Sequence, residues 1–98
     1  MTSVDPGSIL KTGPDVRFRV VDREAVVVRQ RSAEVLVMNE VAARLLALAD
    51  GVHPVSHWLD VLAGEFEVDR AILESDVMAF ASDLAAEGLL EVIEVTAP

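Results

Sequence analysis

His53 and His57 stand four residues apart with Asp60 following, a spacing that could bring two imidazoles and a carboxylate to one helix face around a metal ion. Pro54 works against it, because a proline there places His53 at or before the helix start and removes it from the shared face. The acids are many, yet none falls in an apolar setting that would raise its pKa for proton transfer, and Glu87, Glu91 and Glu94 read as solvated. With no cysteine, no Ser/His/Asp arrangement, no Gly-rich phosphate loop and no Walker-type lysine, the chain is expected to have no catalytic centre, no metal and no cofactor.

The chemistry that remains is recognition through the backbone. Glu34-Val35-Leu36-Val37-Met38 reads as a strand, and four of its five residues are apolar on both faces of the pleat. A half-exposed strand in a small sheet normally alternates, so something outside the chain's own helices is expected to cover one side of it. An amphipathic helix beside such a strand makes a groove in which an extended peptide can add itself to the sheet. Main-chain hydrogen bonds then hold the peptide, and side pockets read its alternate residues.

The elements that would position this strand follow from local signals. Val16 to Val20 alternates valine and phenylalanine with arginine, Asp22-Arg23 is a tight link, and Ala25 to Arg29 is β-branched, so these two strands and Glu34–Met38 should form an antiparallel meander. Asn39 has the chemistry of an N-cap for a first helix over Glu40 to Ala49, closed by Asp50-Gly51. A second helix is expected over Val55 to Phe66, with Val55, Trp58, Leu59, Leu62 and Phe66 on its buried stripe. Asp69 should cap a third over Arg70 to Glu87, whose inner stripe is Leu73, Val77, Phe80 and Leu84, with Gly88 as its stop. Leu89 to Val95 alternates enough for a last short strand or a tail. Residues 1–15, with Pro6-Gly7 and Gly13-Pro14, are expected to be a flexible arm, and 16–98 the folded domain. The order predicts an α+β fold, winged-helix-like, with a three-stranded antiparallel meander, three helices and a short C-terminal strand.

Charge narrows the partners. Six of the eight basic residues (Lys11, Arg17, Arg19, Arg23, Arg29, Arg31) precede residue 32, together with four of the 17 acids, so the remaining thirteen acids face only Arg44 and Arg70. Nucleic-acid grips need clustered positive charge, and the second helix, where a winged helix would read DNA, carries no lysine or arginine. A DNA-binding winged helix and a generic protein-interaction module are the rival readings, and the acidity disfavours the first. No run approaches a membrane span and no signal-peptide core opens the chain, so a cytoplasmic protein without membrane contact is expected.

Several pieces, taken in order, resemble the PqqD-like family, the relatives of pyrroloquinoline quinone biosynthesis protein D, also called RiPP recognition elements. They are Glu34 to Glu40, where the family often has an apolar strand ending in Leu-Asn, then Ala42-Ala43, Leu45-Leu46 and Asp50-Gly51. Ala63-Gly64-Glu65-Phe66 follows, and then Asp76-Val77 with Phe80, Leu84 and Gly88-Leu89-Leu90. The resemblance runs over about residues 16 to 92. It implies a non-catalytic binder that holds the leader of a ribosomally made precursor peptide and presents it to a modifying enzyme, such as a radical-SAM enzyme or a leader peptidase.

In such proteins the leader lies along the third strand against the third helix, which here implies Glu34, Val35, Leu36, Val37 and Met38. A helical wheel puts Asp76, Ala79 and Asp83 on one flank of the third helix with Phe80 at its edge, and Glu74, Met78, Ala81 and Ala85 on the other. Sequence does not choose between the flanks. The acidic one is the expectation, since its carboxylates could hold a leader's lysine or arginine. The strand's free edge could also pair two copies of the chain.

Overall fold

A computed structural model describes residues 4–93. In chain order the elements are β1 (Ile9–Thr12), β2 (Val16–Val21), β3 (Glu24–Arg29), β4 (Glu34–Met38), α1 (Glu40–Leu48), β5 (Asp50–Pro54), α2 (Val55–Glu65), α3 (Arg70–Ala86) and β6 (Leu90–Ile93). They form two three-stranded antiparallel sheets, in the orders β2-β3-β4 and β5-β1-β6. The expected α+β fold is present: the meander is β2-β3-β4, and the predicted third strand is β4.

Local chemistry explains the meander and the helix starts. Asp22 and Arg23, at φ of 50° and 69°, make a two-residue turn of the left-handed kind whose twist matches that of the strands it joins. Asn39 accepts from the Ala42 N–H at 3.0 Å, and Asp69 accepts from Ala71 at 2.9 Å and from Ile72 at 3.4 Å, so both proposed caps hold orphan donors of their helices. The core gathers Trp58, Leu10, Leu45, Leu46, Leu89, Leu90, Val27, Val55 and Val77, all fully buried. Of the predicted α3 stripe, Leu73, Val77 and Leu84 are buried with Ala81, whereas Phe80 is only half-buried.

The expected arm needs correction over residues 4–15, and residues 1–3 lie outside the described residues. Ile9–Thr12 is the middle strand of the second sheet, pairing Ile9 with Pro54 on one side and with Ile93 on the other, and Leu10 is completely buried. Just before it, the Ser8 carbonyl accepts from Val55 N–H and the Pro6 carbonyl from Ser56 N–H, both at 2.9 Å. Pro54, the N-cap of α2, has no side-chain group to offer, so the N-terminal segment satisfies that helix's first donors instead. At the strand's far end, a Cβ on Gly13 would stand 2.2 Å from the Gly88 carbonyl oxygen, which only glycine allows.

Asp50-Gly51, expected as a helix stop, lies beyond it: α1 ends at Leu48 and Asp50 opens β5. The Asp50 carboxylate accepts from the N–H groups of Val52 and His53, each at 2.9 Å, and its second oxygen lies 2.6 Å from His53 Nδ1. The His53 N–H foremost, then the His53 ring and the Val52 N–H, hold its carboxyl well below the usual carboxylate range. A carboxyl depressed in the folded state stabilises that state above its unfolded pKa of about 4, and the contribution is lost as pH falls through that value and below. Urea midpoints measured from neutral to acid pH should therefore fall less steeply for Asp50→Asn than for the unsubstituted chain. An identical acid limb in the two proteins would refute the assignment.

Candidate functional site

β4 has one neighbour. It pairs with β3 in the register Ala25–Met38, Val26–Val37, Val27–Leu36, Val28–Val35 and Arg29–Glu34, and its other edge is unpaired among the described residues. The hairpin between β2 and β3 determines which backbone groups that edge presents. A two-residue turn closes on a hydrogen-bonded pair, here Val21 with Glu24, and such pairs alternate along an antiparallel ladder. Glu24, Val26 and Val28 therefore bond to β2, consistent with the Gln30 N–H donating to the Asp15 carbonyl on the same side at 2.9 Å. Ala25, Val27 and Arg29 bond to Met38, Leu36 and Glu34. The N–H and C=O groups of Val35 and Val37 are left pointing outward.

Side chains divide the same strand the other way. Leu36 and Met38 lie half-buried against the core, whereas Val35 and Val37 are 60% and 65% exposed, so one apolar side of β4 is covered by the chain and the other is not.

α3 lies beside β4. Arg29 Nε sits 2.8 Å from Glu34 Oε1, a close ion pair without hydrogen-bond alignment, and Arg29 Nη2 reaches to 4.0 Å from Glu87 Oε2 just past the end of α3. At the opposite end of β4, Val41 shares a cavity with Asp76, Val77, Ala79, Phe80 and Asp83 of α3. These two links set the C-terminal end of α3 near Arg29 and Glu34, and its middle near the start of α1. The cavity measures about 450 Å³, and Leu62, Phe66, Val68 and Leu73 complete its lining. Beside it, Arg44 clamps Glu65 with bonds of 2.9 Å and 2.6 Å, fixing α1 to the end of α2.

The flank of α3 that the helical wheel grouped faces a cavity. Asp76, Ala79, Phe80 and Asp83 line one cavity, beyond the Met38 end of Glu34–Met38. On the other flank of α3, Ala81 is fully buried, Met78 and Ala85 are half-buried, and Glu74 is exposed. Sequence reasoning missed Val41, Leu62, Phe66 and Val68. For Val41 and Val68 the sequence signal was an apolar residue at a helix boundary, and both are exposed; Leu62 and Phe66 carried only the signal of a buried helix stripe.

The histidines are engaged elsewhere. His53 pairs with Asp50, its ring stacks on His57 at a centroid distance of 4.4 Å, and Asp60 bonds Arg70 at 2.9 Å. Among the described residues no group of three or more metal-ligating side chains converges, and no helix is long and apolar enough to cross a membrane.

The described surface thus holds an apolar cavity with two aspartates on its wall and a strand edge that presents two outward N–H and C=O pairs. Known proteins resemble this chain in sequence and fold. The chain is 42% identical over 64 residues to a PqqA binding protein of Rhodopseudomonas palustris strain CGA009, and 39% identical over 64 residues to that of strain BisB5. Each match covers 65% of this chain, and the chain spans 63% of the length of these relatives. The fold is similar to that of TbiB1, solved in complex with the TbiA(beta) leader peptide, at a TM-score of 0.75 and 25% identity, over 87% of this chain and 99% of that one. Residues 24–90 match the family model of coenzyme PQQ synthesis protein D, and the chain belongs to that family, PqqD.

Proposed function

We propose that this protein is a non-catalytic carrier that binds the leader of a ribosomally made precursor peptide and presents it to a modifying enzyme. The leader adds a strand to the open edge of Glu34–Met38. Its backbone bonds the outward groups of Val35 and Val37, and Leu36 and Met38 support the strand from the core side. Side chains on the inner side of the added strand reach α3, where an apolar residue enters the cavity beside Ala79 and Phe80. A leader lysine or arginine is held by Asp76 and Asp83.

The observation that carries this reading is the register of β4, which leaves the backbone of Val35 and Val37 unpaired among the described residues. The names of the relatives, PqqA binding proteins, and the leader peptide bound to TbiB1 support the same reading. The enzyme served would be a radical-SAM enzyme or a leader peptidase, acting in the cytoplasm where precursors are made. Without peptide, the same edge would pair two copies of the chain, and leader would compete with that dimer.

The test is a titration of the ¹⁵N-labelled chain with PqqA and, separately, with the leader of the precursor encoded beside this chain. The amides of Val35 and Val37 should shift more than that of Leu36, whose N–H already bonds β3. Binding that leaves both valine amides unmoved would refute strand addition. Exposed ion pairs are each worth roughly 0.2–1 kcal/mol, so Asp76→Lys with Asp83→Lys should weaken a basic leader several-fold at low salt and less at high salt. Unchanged affinity in that double variant would refute the assignment of Asp76 and Asp83 to the leader.

A further inference from the structure

The back of the meander is as unusual as its edge. Directly opposed residues of an antiparallel sheet share a face, so the register sets Arg17, Val28 and Val35 in one row and Arg19, Val26 and Val37 in the next. Val21 and Glu24 continue this face at the hairpin turn. The opposite face carries Ala25 and Val27, fully buried toward α1. A sheet with one wet face normally turns polar residues outward. This one turns out valines, bordered by two exposed arginines that pair with no carboxylate among the described residues.

We infer that this outer face is the docking surface for the enzyme that modifies the bound peptide, a protein presenting an apolar patch bordered by carboxylates. The inference rests on the carrier reading above. Charge is the first argument. In a chain of net charge −9, Arg17 and Arg19 form an unpaired basic rim on an apolar field, which fits an acidic border on the partner. Continuity is the second. Both rows end at the open edge, on Val35 and Val37, so a peptide strand added there extends each row by a residue of its own. An enzyme seated on the face touches carrier and peptide together, and only the loaded carrier offers the whole surface. A second copy of the chain is the weaker occupant, because among the described residues of this face's paired strands only Glu24 offers a carboxylate to answer Arg17 and Arg19.

Arg17→Glu with Arg19→Glu tests this on the full chain, two strands away from the peptide edge. Affinity for the purified modifying enzyme encoded with the precursor is measured by biolayer interferometry, with and without saturating leader, and leader affinity is measured separately by calorimetry. Leader should raise the enzyme affinity of the unsubstituted chain. The double variant should bind leader as before and lose about tenfold or more in enzyme affinity, as expected for charges repelling across an interface. Val26→Thr with Val28→Thr, which keeps strand-forming shape while making the rows polar, should lose enzyme affinity with an unchanged near-ultraviolet dichroism spectrum.

Enzyme affinity retained by both variants alongside intact leader binding overturns the docking face and leaves the carrier reading standing. A dimer of the chain alone, dissolved by the arginine reversals in sedimentation, also overturns it by making the occupant a second copy. Failure of the unsubstituted chain to bind leader overturns the carrier reading and this inference with it.

Discussion

Val37→Pro abolishes peptide addition and leaves the fold intact. Proline lacks the N–H that Val37 turns outward, and an edge strand tolerates it where that N–H would face solvent. No bond to β3 is lost, because the ladder to β3 uses Leu36 and Met38 on either side. One backbone hydrogen bond is worth only about 0.5–1.5 kcal/mol net. The pyrrolidine ring also keeps the incoming backbone at a distance, so the neighbouring bonds fail too, and leader affinity should drop by more than about tenfold, or 1.4 kcal/mol.

Leu36→Pro, one position earlier, is the internal control. It removes a donor that does bond β3 and forces the ring into the ladder, so it should unfold the meander rather than disarm it. Calorimetric titration with leader and thermal unfolding of both variants separate the two outcomes. A Val37→Pro protein that binds leader like the unsubstituted chain would mean the peptide does not use this edge.

The second large effect is expected from Ala79→Trp. Ala79 is an exposed position on the cavity wall, next to Phe80 and across from Val41 and Phe66. An indole there can lie over the apolar lining and take the place of the leader's side chain, with no core residue displaced. Burying one large apolar side chain is worth roughly 1.5–3 kcal/mol, so filling its seat should weaken the leader by about 10- to 100-fold while stability holds or rises slightly. Raising the salt concentration should not relieve this loss, whereas it should shrink the deficit caused by reversing Asp76 and Asp83. Undiminished leader affinity in Ala79→Trp would show that the cavity lies outside the binding path.

Much of the molecule was legible because its signals are short-range. Asn39 and Asp69 cap helices with their own side chains, wherever those helices later pack. The β-branched run Ala25 to Arg29, the alternation from Val16 and the link at Asp22-Arg23 specify neighbours only a few residues apart. Even the doubly apolar character of Glu34–Met38 was visible, and it pointed to a surface the chain does not itself cover. The order of motifs from Glu34 to Leu90 sufficed for the family, since it depends on residue types and spacing alone.

The second sheet was not legible. Ile9–Thr12 is four residues long between Pro6-Gly7 and Gly13-Pro14, and in isolation reads as a loop. It becomes a strand because Asp50–Pro54 and Leu90–Ile93 flank it, and Asp50-Gly51 turns from helix stop to strand for the same reason. The wheel of α3 likewise offered two flanks, and only packing buried Ala81 and left Asp76, Ala79 and Asp83 on a cavity wall with Val41 and Phe66. The chain's own residues determined that it has a strand apolar on both faces and an acidic third helix. Tertiary structure decided that Val35 and Val37 are the ones with free backbone groups, because that depends on which face of β3 is already bonded to β2, a fact no single segment contains.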